Sequence, residues 1–539
     1  MNKSRDASSY QPIDQSTIGN RYLYFTVFIS GMVTLAVELS ASRLLGNVFG
    51  TSNLVWANVI GLMLLYLTVG YFIGGRWADR SPYPQTLFRI LLWAAFLSAL
   101  IPLVSRPVLR AAASAVVGIE AALVIGSFVS ILLLFSVPVT LMGCVSPFAI
   151  RLAITDAEHA GKISGQIYAI STLGSLIGTF LPVLVLIPLL GTIRTFLFFS
   201  AILYLVGFFG LLQYEGNRAL NWLWMPLVIT VLAVWALNGP LRSPLEDAEL
   251  LFEEESGYNY IQVQEDSEGY RYLYLNEGQG VHSIWHPTDF IYGGTWDFFL
   301  TAPYFNAPPT TPADMDSLLV IGLATGTIPR QHIEVYGNLP MDGIEIDGEI
   351  VEAGAQYFDM NEEMMPSLNI YTEDGRYILN QLDDQYTVIG IDAYRPPYIP
   401  WHLTTVEFFQ EIRDHLTENG VVAINVGRTV TDRRLVDAMT ATLLQVFPSV
   451  HALDVPGSFN TLLYATIQPT TTQNLLTNVT NLPEDTHPVL QEVLTSSLDA
   501  LVPIAPSETI FTDDVAPVES LVDSLVLNFL LSGETDQLR

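Results

Sequence analysis

The amino-acid sequence predicts two structural classes in one chain. A multi-pass α-helical membrane half of about seven spans is followed by a water-soluble α/β half, a doubly wound, mostly parallel sheet with a small β-hairpin sheet in front. Three observations carry this. Of 539 residues, half are hydrophobic and only 14% are charged, against about 25% in an ordinary soluble protein. The charge also divides by position: residues 1–240 hold 13 Lys and Arg against 8 Asp and Glu, net +5, whereas residues 241–539 hold 10 against 46, net −36. From residue 317 onward, short apolar runs alternate with helical patterns, as in sheets whose parallel strands are joined by crossover helices.

The chain divides accordingly into a polar tail (1–21), a transmembrane domain (22–240), an acidic linker (241–256), a small β domain (257–310) and a nucleotide-binding α/β domain (311–530). Crossing a ~30 Å hydrocarbon core takes about 20 apolar residues, and such runs lie at 22–45, 53–75, 86–105, 116–144, 163–190, 191–213 and 220–238. The first follows a polar tail and is too long for a signal-peptide core, so it is expected to stay in the mature protein. Nine Lys or Arg fall on the tail and on the loops after spans two, four and six, against five on the other side. That excess orients the N-terminus to the cytoplasm, and an odd number of spans then puts the soluble half outside.

Two carboxylates within the apolar runs, Glu38 and Glu120, each cost about 2.5–3.5 kcal/mol at helix-centre depth. They read either as a proton or cation site, or as Glu38 bonded to a neighbouring helix or paired with Arg43, with Glu120 reaching headgroups. The run Gly70-Tyr-Phe-Ile-Gly74-Gly75-Arg76-Trp77-Ala78-Asp79-Arg80 resembles the loop between the second and third helices of major-facilitator transporters. It also reads as small-xxx-small helix packing followed by a charged stop.

In the soluble half, Tyr258, Tyr260 and Gln262 alternate with Asn259, Ile261 and Val263, and Asp266-Ser-Glu-Gly269 turns the chain into Tyr270, Tyr272 and Tyr274. Period-two alternation about a glycine turn predicts a hairpin. Further strands are predicted at 317–321, 341–346, 367–371, 386–392, 420–426, 449–454 and 461–467, with a helix at 403–417. Ligands of such sheets sit at the carboxyl ends of the strands, where the candidate chemistry falls. The first strand runs into Gly322-Leu-Ala-Thr325-Gly326 before a helix, a turn that lets backbone and a helix N-terminus approach a phosphate or nucleotide. Strand two ends in Glu345-Ile346-Asp347; a carboxylate there accepts ribose hydroxyls or caps the next helix. Asp374-Gly375 could accept from an adenine amino group or form an Asp-Gly turn. Asp392 ends strand four ahead of a loop rich in proline and aromatics, suited to cover a pocket.

Taken together, Tyr258-Asn259-Tyr260-Ile261, Leu275-Asn276-Glu277-Gly278, the glycine turn, Glu345-Ile346-Asp347, Asp374-Gly375, Asp392 to Phe409 and Thr512-Asp513-Asp514 resemble spermidine synthases, the polyamine aminopropyltransferases, in the form fused behind a membrane domain. Glu38 to Leu45, Met142 to Pro147 and Thr172-Leu-Gly174 agree. The resemblance implies a Rossmann-like methyltransferase fold and a sulfonium nucleoside donor, decarboxylated S-adenosylmethionine or S-adenosylmethionine, with no permanently bound cofactor. By position it puts Asn259 near the donor's tail, the turn Gly322 to Gly326 beneath the nucleoside, Glu345 on the ribose, Asp374 and Gly375 at the adenine, and Asp392 as the base for an attacking amine. Tyr394 and Arg395 then fall on the acceptor side. Two family acids are replaced, by Thr325 in the glycine turn and by Arg395 after the catalytic position. That weakens diamine binding by charge and opens a methyltransferase alternative, in which Arg395 clamps a carboxylate rather than lying solvated on the loop. A non-catalytic polyamine transport or sensing protein is the third reading.

Composition excludes other classes. A net charge of −31 argues against a nucleic-acid partner, which requires a basic footprint. The single Cys144 permits neither an internal disulfide nor a thiolate cluster. His282 and His286 have metal-like spacing, but a packing role on the hairpin edge is expected and no metal site is assigned. Residues 468–482 read as a polar surface segment carrying the sequon Asn478-Val479-Thr480, and no Lys follows residue 162, a pattern of high-salt or extracellular surfaces. The partners expected are an amine or other small acceptor and the lipid bilayer, with a homodimer left open. The charge count places the soluble half outside, a nucleotide site places it in the cytoplasm, and the cytoplasm is preferred because the count turns on span parity.

Overall fold

In a computed structural model, residues 20–49, 53–114, 121–154, 158–237, 244–245, 247–276, 280–394, 398–522 and 524–525 are described. The chain forms two compact units, the first drawn from residues before 240 and the second from those after it together with the helix-end segments 45–49, 53–56, 109–114 and 121–127.

The first unit is helical: α1 (Asn20–Phe49), α2 (Asn53–Arg80), α3 (Pro84–Ser114), α4 (Ala121–Gly143), α5 (Val145–Ala153), α6 (Ala160–Leu181), α7 (Ile187–Glu215) and α8 (Trp224–Leu237). Among the described residues, five stretches are long and apolar enough to cross a bilayer, and the fifth, Ala160–Trp222, runs for 63 residues. It is interrupted at Gly191, whose φ of 77° and ψ of 168° are not helical, at the boundary expected between the fifth and sixth apolar runs. The shorter apolar helix Trp224–Val234 follows. Glu38 and Arg43 lie five residues apart in α1, both half-buried, while Glu120 lies outside the described residues.

Close backbone approach explains several glycines of this unit. A Cβ on Gly70 would stand 2.3 Å from the Thr140 carbonyl oxygen, and one on Gly74 would stand 2.6 Å from Cys144 Cα. Gly70 and Gly74 therefore serve helix packing, whereas Gly75 faces open space. Gly174 and Gly178 of α6 do the same against Phe28 and Met32 of α1, where added Cβ atoms would meet carbonyl oxygens at 2.0 Å.

The second unit has two sheets. The smaller orders β1 (Glu249–Glu255), β2 (Tyr260–Glu265), β3 (Arg271–Leu275) and β4 (Val281–Trp285) consecutively, all antiparallel. Its centre is the expected hairpin, turned at Gly269 with φ 94°. The acidic segment 241–256 is not wholly linker, because 249–255 pairs with β2. Leu251 and Phe252 pack on the Ile261 cluster, and Glu253 accepts from Tyr260 Oη and Gln262 Nε2, so its acidity is absorbed within the sheet.

The larger sheet continues with β5 (Leu318–Ile321), β6 (Met341–Glu345), β7 (Leu368–Thr372), β8 (Tyr386–Ile391), β9 (Leu416–Gly427), β10 (Ser449–Asp454), β11 (Asn460–Thr466) and β12 (Leu501–Val502), in the order β12-β10-β11-β9-β8-β5-β6-β7. Strands β5 to β9 are parallel, and β10, β11 and β12 are antiparallel. The sheet is thus mixed rather than parallel throughout. The turn between β10 and β11 is too short for a crossover and bends at Gly457 with φ 68°. Both faces are buried, with Leu319 and Ile321 in one apolar cluster and Leu318 and Val320 in the other, hence the unbroken apolar runs of its central strands. Segment 472–480 is helical, and Asn478 is buried, bonding Thr310 N, Tyr304 O and Asn306 O. The sequon side chain is structural, not surface-exposed.

Gly174→Leu forces a side chain into the 2.0 Å gap before the Phe28 carbonyl. Overpacking of this kind costs about 1–3 kcal/mol, so the protein is expected to melt several degrees lower. Gly75→Leu, which meets open space, is expected to leave the melting temperature unchanged.

Candidate functional site

From β5 the chain proceeds to β6 and β7 on one side, then returns to β8 and β9 on the other. The crevice outside the carboxyl ends of β5 and β8 is therefore a topological switch point, where open α/β sheets bind ligands. The glycine turn forms its floor. Gly322, Ala324 and Gly326 have φ of 88°, 48° and 86°, and Gly326 caps α9 (Thr327–Tyr336). A Cβ on Gly322 would stand 2.5 Å from the Asp392 carbonyl oxygen, so turn and strand end meet backbone to backbone.

Glu345 ends β6 beneath this turn. Its Oε2 accepts from Ala324 N at 2.9 Å and its Oε1 from Asp347 N at 3.1 Å, which ties down the left-handed Ala324, a conformation costing about 1 kcal/mol or more. Burial raises the Glu345 carboxyl to about 7, against the lowering pull of these N–H groups. Capping, the simpler expectation for both acids, holds for Asp347. It starts α10 (Gly348–Tyr357) by accepting from Glu349 N. Its Oδ2 also accepts from Ser256 Oγ at 2.6 Å and Asn259 Nδ2 at 2.8 Å. Asn259 accepts in turn from Asn276 Nδ2 at 2.8 Å, so its amide fastens the small sheet to β6.

Asp374 caps α11 (Gly375–Leu379) through Arg376 N and Tyr377 N. Its second oxygen lies 2.9 Å from His402 Nε2. Gly375 is required there, since a Cβ would stand 2.5 Å from Ile321 Cγ2.

Asp392 follows β8, half-buried at the switch point. Its Oδ1 accepts from Asn425 Nδ2 at 2.8 Å, Asn425 Oδ1 accepts from Asn460 Nδ2 at 2.8 Å, and Asn460 Oδ1 accepts from Ser458 Oγ at 2.9 Å. This chain orients the Asn425 amide so that its N–H points at the carboxylate, and among the described residues Asp392 Oδ2 has no hydrogen bond. Burial raises the Asp392 carboxyl to about 6, offset in part by Asn425. Tyr394 Oη donates to the Asn425 carbonyl at 3.1 Å, so it buttresses the same residue. Thr325 is 1% exposed; its N donates to Ser283 Oγ, while its hydroxyl has no partner among the described residues. Arg395 lies outside the described residues. His286 stacks on Tyr270 with ring centroids 4.3 Å apart, the packing role expected of it.

Residues 316–471 match the family described as spermine/spermidine synthase domain. That segment of the α/β half is similar to this domain. The chain is 31% identical over 291 residues to a probable polyamine aminopropyl transferase of Bifidobacterium longum, covering 51% of this chain and 63% of that protein. It is 29% identical over 238 residues to the polyamine aminopropyltransferase of Vibrio vulnificus, covering 42% of this chain and 75% of the relative. The chain thus spans less than two thirds of the Bifidobacterium protein. A spermidine synthase structure from Thermotoga maritima aligns at 19% identity and a TM-score of 0.37, over 47% of this chain and 84% of that one.

Two features of the spermidine synthase-like domain were not expected from sequence. Asn425 interrupts the apolar run Gly-Val-Val-Ala-Ile-Asn-Val, and that polar residue inside a buried strand was the available signal. Arg376 had none. Its guanidinium forks onto Glu411 at 2.6 and 2.8 Å and onto Asp513 at 2.8 and 2.9 Å, and donates to His402 O. Asp513 also accepts from Thr405 Oγ1 at 2.7 Å. The Asp374 loop, the His402 loop, α12 (Val406–Asp414) and the C-terminal Asp513 segment are thereby joined at one side chain.

Arg376→Ala leaves two carboxylates facing each other without their cation, and hydrogen bonds to charged groups contribute about 1.5–3 kcal/mol. The domain is expected to melt several degrees lower. Arg376→Lys is expected to recover only part of the loss in the same thermal scan, because an ammonium cannot supply two forks.

Proposed function

We propose that this chain is an integral membrane protein whose α/β domain transfers an aminopropyl group from decarboxylated S-adenosylmethionine to an amine. Asp392 is the observation that carries the reading: a carboxylate at the switch point, held through one oxygen by Asn425 and, among the described residues, without a hydrogen bond at the other. An amine must be neutral to attack. Asp392 Oδ2 accepts its proton, the nitrogen lone pair forms a C–N bond to the methylene beside S⁺, and the C–S bond breaks with its electrons passing to sulfur. A thioether nucleoside leaves. Glu345, at the ribose position of the family, keeps lone pairs beyond its two backbone bonds, and Asp374 stands at the adenine side. The long apolar stretches support membrane insertion; the Lys and Arg excess puts the N-terminus in the cytoplasm, and the need for a nucleoside donor puts the site there too.

The test is transfer by the full chain in membranes supplied with donor and amine. Asp392→Asn is expected to lower turnover by about 10²–10⁴, the usual worth of a positioned base, and full activity would overturn the mechanism. The base works only when ionised, so the rate is expected to fall as pH drops through about 6. Asn425→Leu removes a hydrogen bond that lowers the Asp392 pKa, and its acid limb is expected at higher pH.

One observation favours a second donor. The unpartnered Thr325 hydroxyl occupies the position of the family acid that grips the donor's amine, which removes a negative charge that would repel an S-adenosylmethionine carboxylate. Calorimetry on the full chain separates the donors. Tighter binding of the decarboxylated form is the expected result, and tighter binding of S-adenosylmethionine would turn the reading to methyl transfer.

A further inference from the structure

The helical unit holds a cleft that the transfer reaction does not use. It opens among α3, α7 and α8 with a volume of about 760 Å³, and its walls include Phe96, Ala201, Phe208, Pro226 and Val234. The polar groups of Tyr204 and Thr230 turn away to backbone carbonyls, Tyr204 Oη to Trp222 at 3.0 Å and Thr230 Oγ1 to Pro226 at 2.8 Å, so that the Ser200 hydroxyl, unpartnered among the described residues, is set in a largely hydrocarbon surface. From Trp224 to Val234 on α8 is ten residues, or ~15 Å of helix, half of a ~30 Å hydrocarbon core. The cleft has the depth of one leaflet.

At one end stands a smaller polar pocket lined by Arg89, Trp93, Glu215, Arg218, Trp222 and Trp224. The two are joined by rings: Trp224 lies 5.1 Å from Phe96 and 6.1 Å from Trp93. Tryptophans at the end of an apolar helix pair mark the headgroup level. Arg89 pairs with Glu215, while Arg218 is exposed and has no ion pair among the described residues. The mouth therefore carries one uncompensated positive charge above an apolar slot of leaflet depth.

We propose that this is a binding site for a phospholipid with an anionic headgroup, its acyl chain in the cleft and its phosphate at Arg218. The proposal rests on the membrane reading given above. It is tested by native mass spectrometry of the full chain in detergent, incubated with phosphatidylglycerol or phosphatidylcholine. The anionic lipid is expected to be retained about fivefold better, the factor for one arginine near an anionic surface. Arg218→Gln is expected to abolish that preference and Arg218→Lys to keep it, while Ala201→Phe, filling the cleft, is expected to reduce retention of both lipids. Equal retention by the unaltered chain, an undiminished preference in Arg218→Gln, or a lipid-free dimer, which would give the cleft to a second copy, overturns the site. Carbonate extraction keeps the readings apart: a chain released from membranes defeats membrane insertion, whereas one retained without lipid preference defeats only this site.

Discussion

The site depends on a distance at which no side chain can stand. Gly322 meets the Asp392 carbonyl so closely that a Cβ would come within 2.5 Å, and this contact sets the floor of the crevice against the end of β8. The left-handed turn that follows needs Glu345 to hold Ala324 N. The burial that lets Glu345 do so raises its pKa. Asp392 shares that enclosure in part, and burial lifts its carboxyl to about 6, above the usual acidic range. Backbone proximity, loop strain and proton affinity are consequences of one packing choice.

The acidic half manages its charge through arginine. With no lysine after residue 162, its cations are planar forks that can serve two carboxylates or one shared acid. Arg376 bridges Glu411 and Asp513, Arg428 and Arg433 converge on Asp454, and Arg434 pairs with Asp432. Bidentate geometry fixes direction as well as charge, so few cations suffice to orient loops in a strongly negative domain. The helical half uses the opposite means, with glycines at helix contacts and only scattered charge.

Much of this was legible in the sequence because it has local causes. The glycine turn, the hairpin at Gly269 and the parallel strands follow from backbone conformation and period, and acids at strand ends follow from topology. What could not be read depends on partners far apart in the chain. Glu249 to Glu255 has the composition of a linker, yet becomes a strand because β2 offers an edge. Asn478 has the pattern of a surface sequon, yet its amide is spent on three backbone groups. Asn425, Asn460 and Ser458 align behind Asp392 only once β9 and β11 pair, and the antiparallel direction of β11 was hidden by strands that look alike in either direction.

The clamp on Arg376 also orders events in time. Its partner Asp513 lies 137 residues downstream, so during synthesis the Asp374 loop leaves the ribosome on the order of ten seconds before the group that locks it. Through that interval the crevice can have its floor but not its clasp. A nascent chain can therefore complete the sheet while the Asp374 side of the crevice stays open until the Asp513 segment emerges.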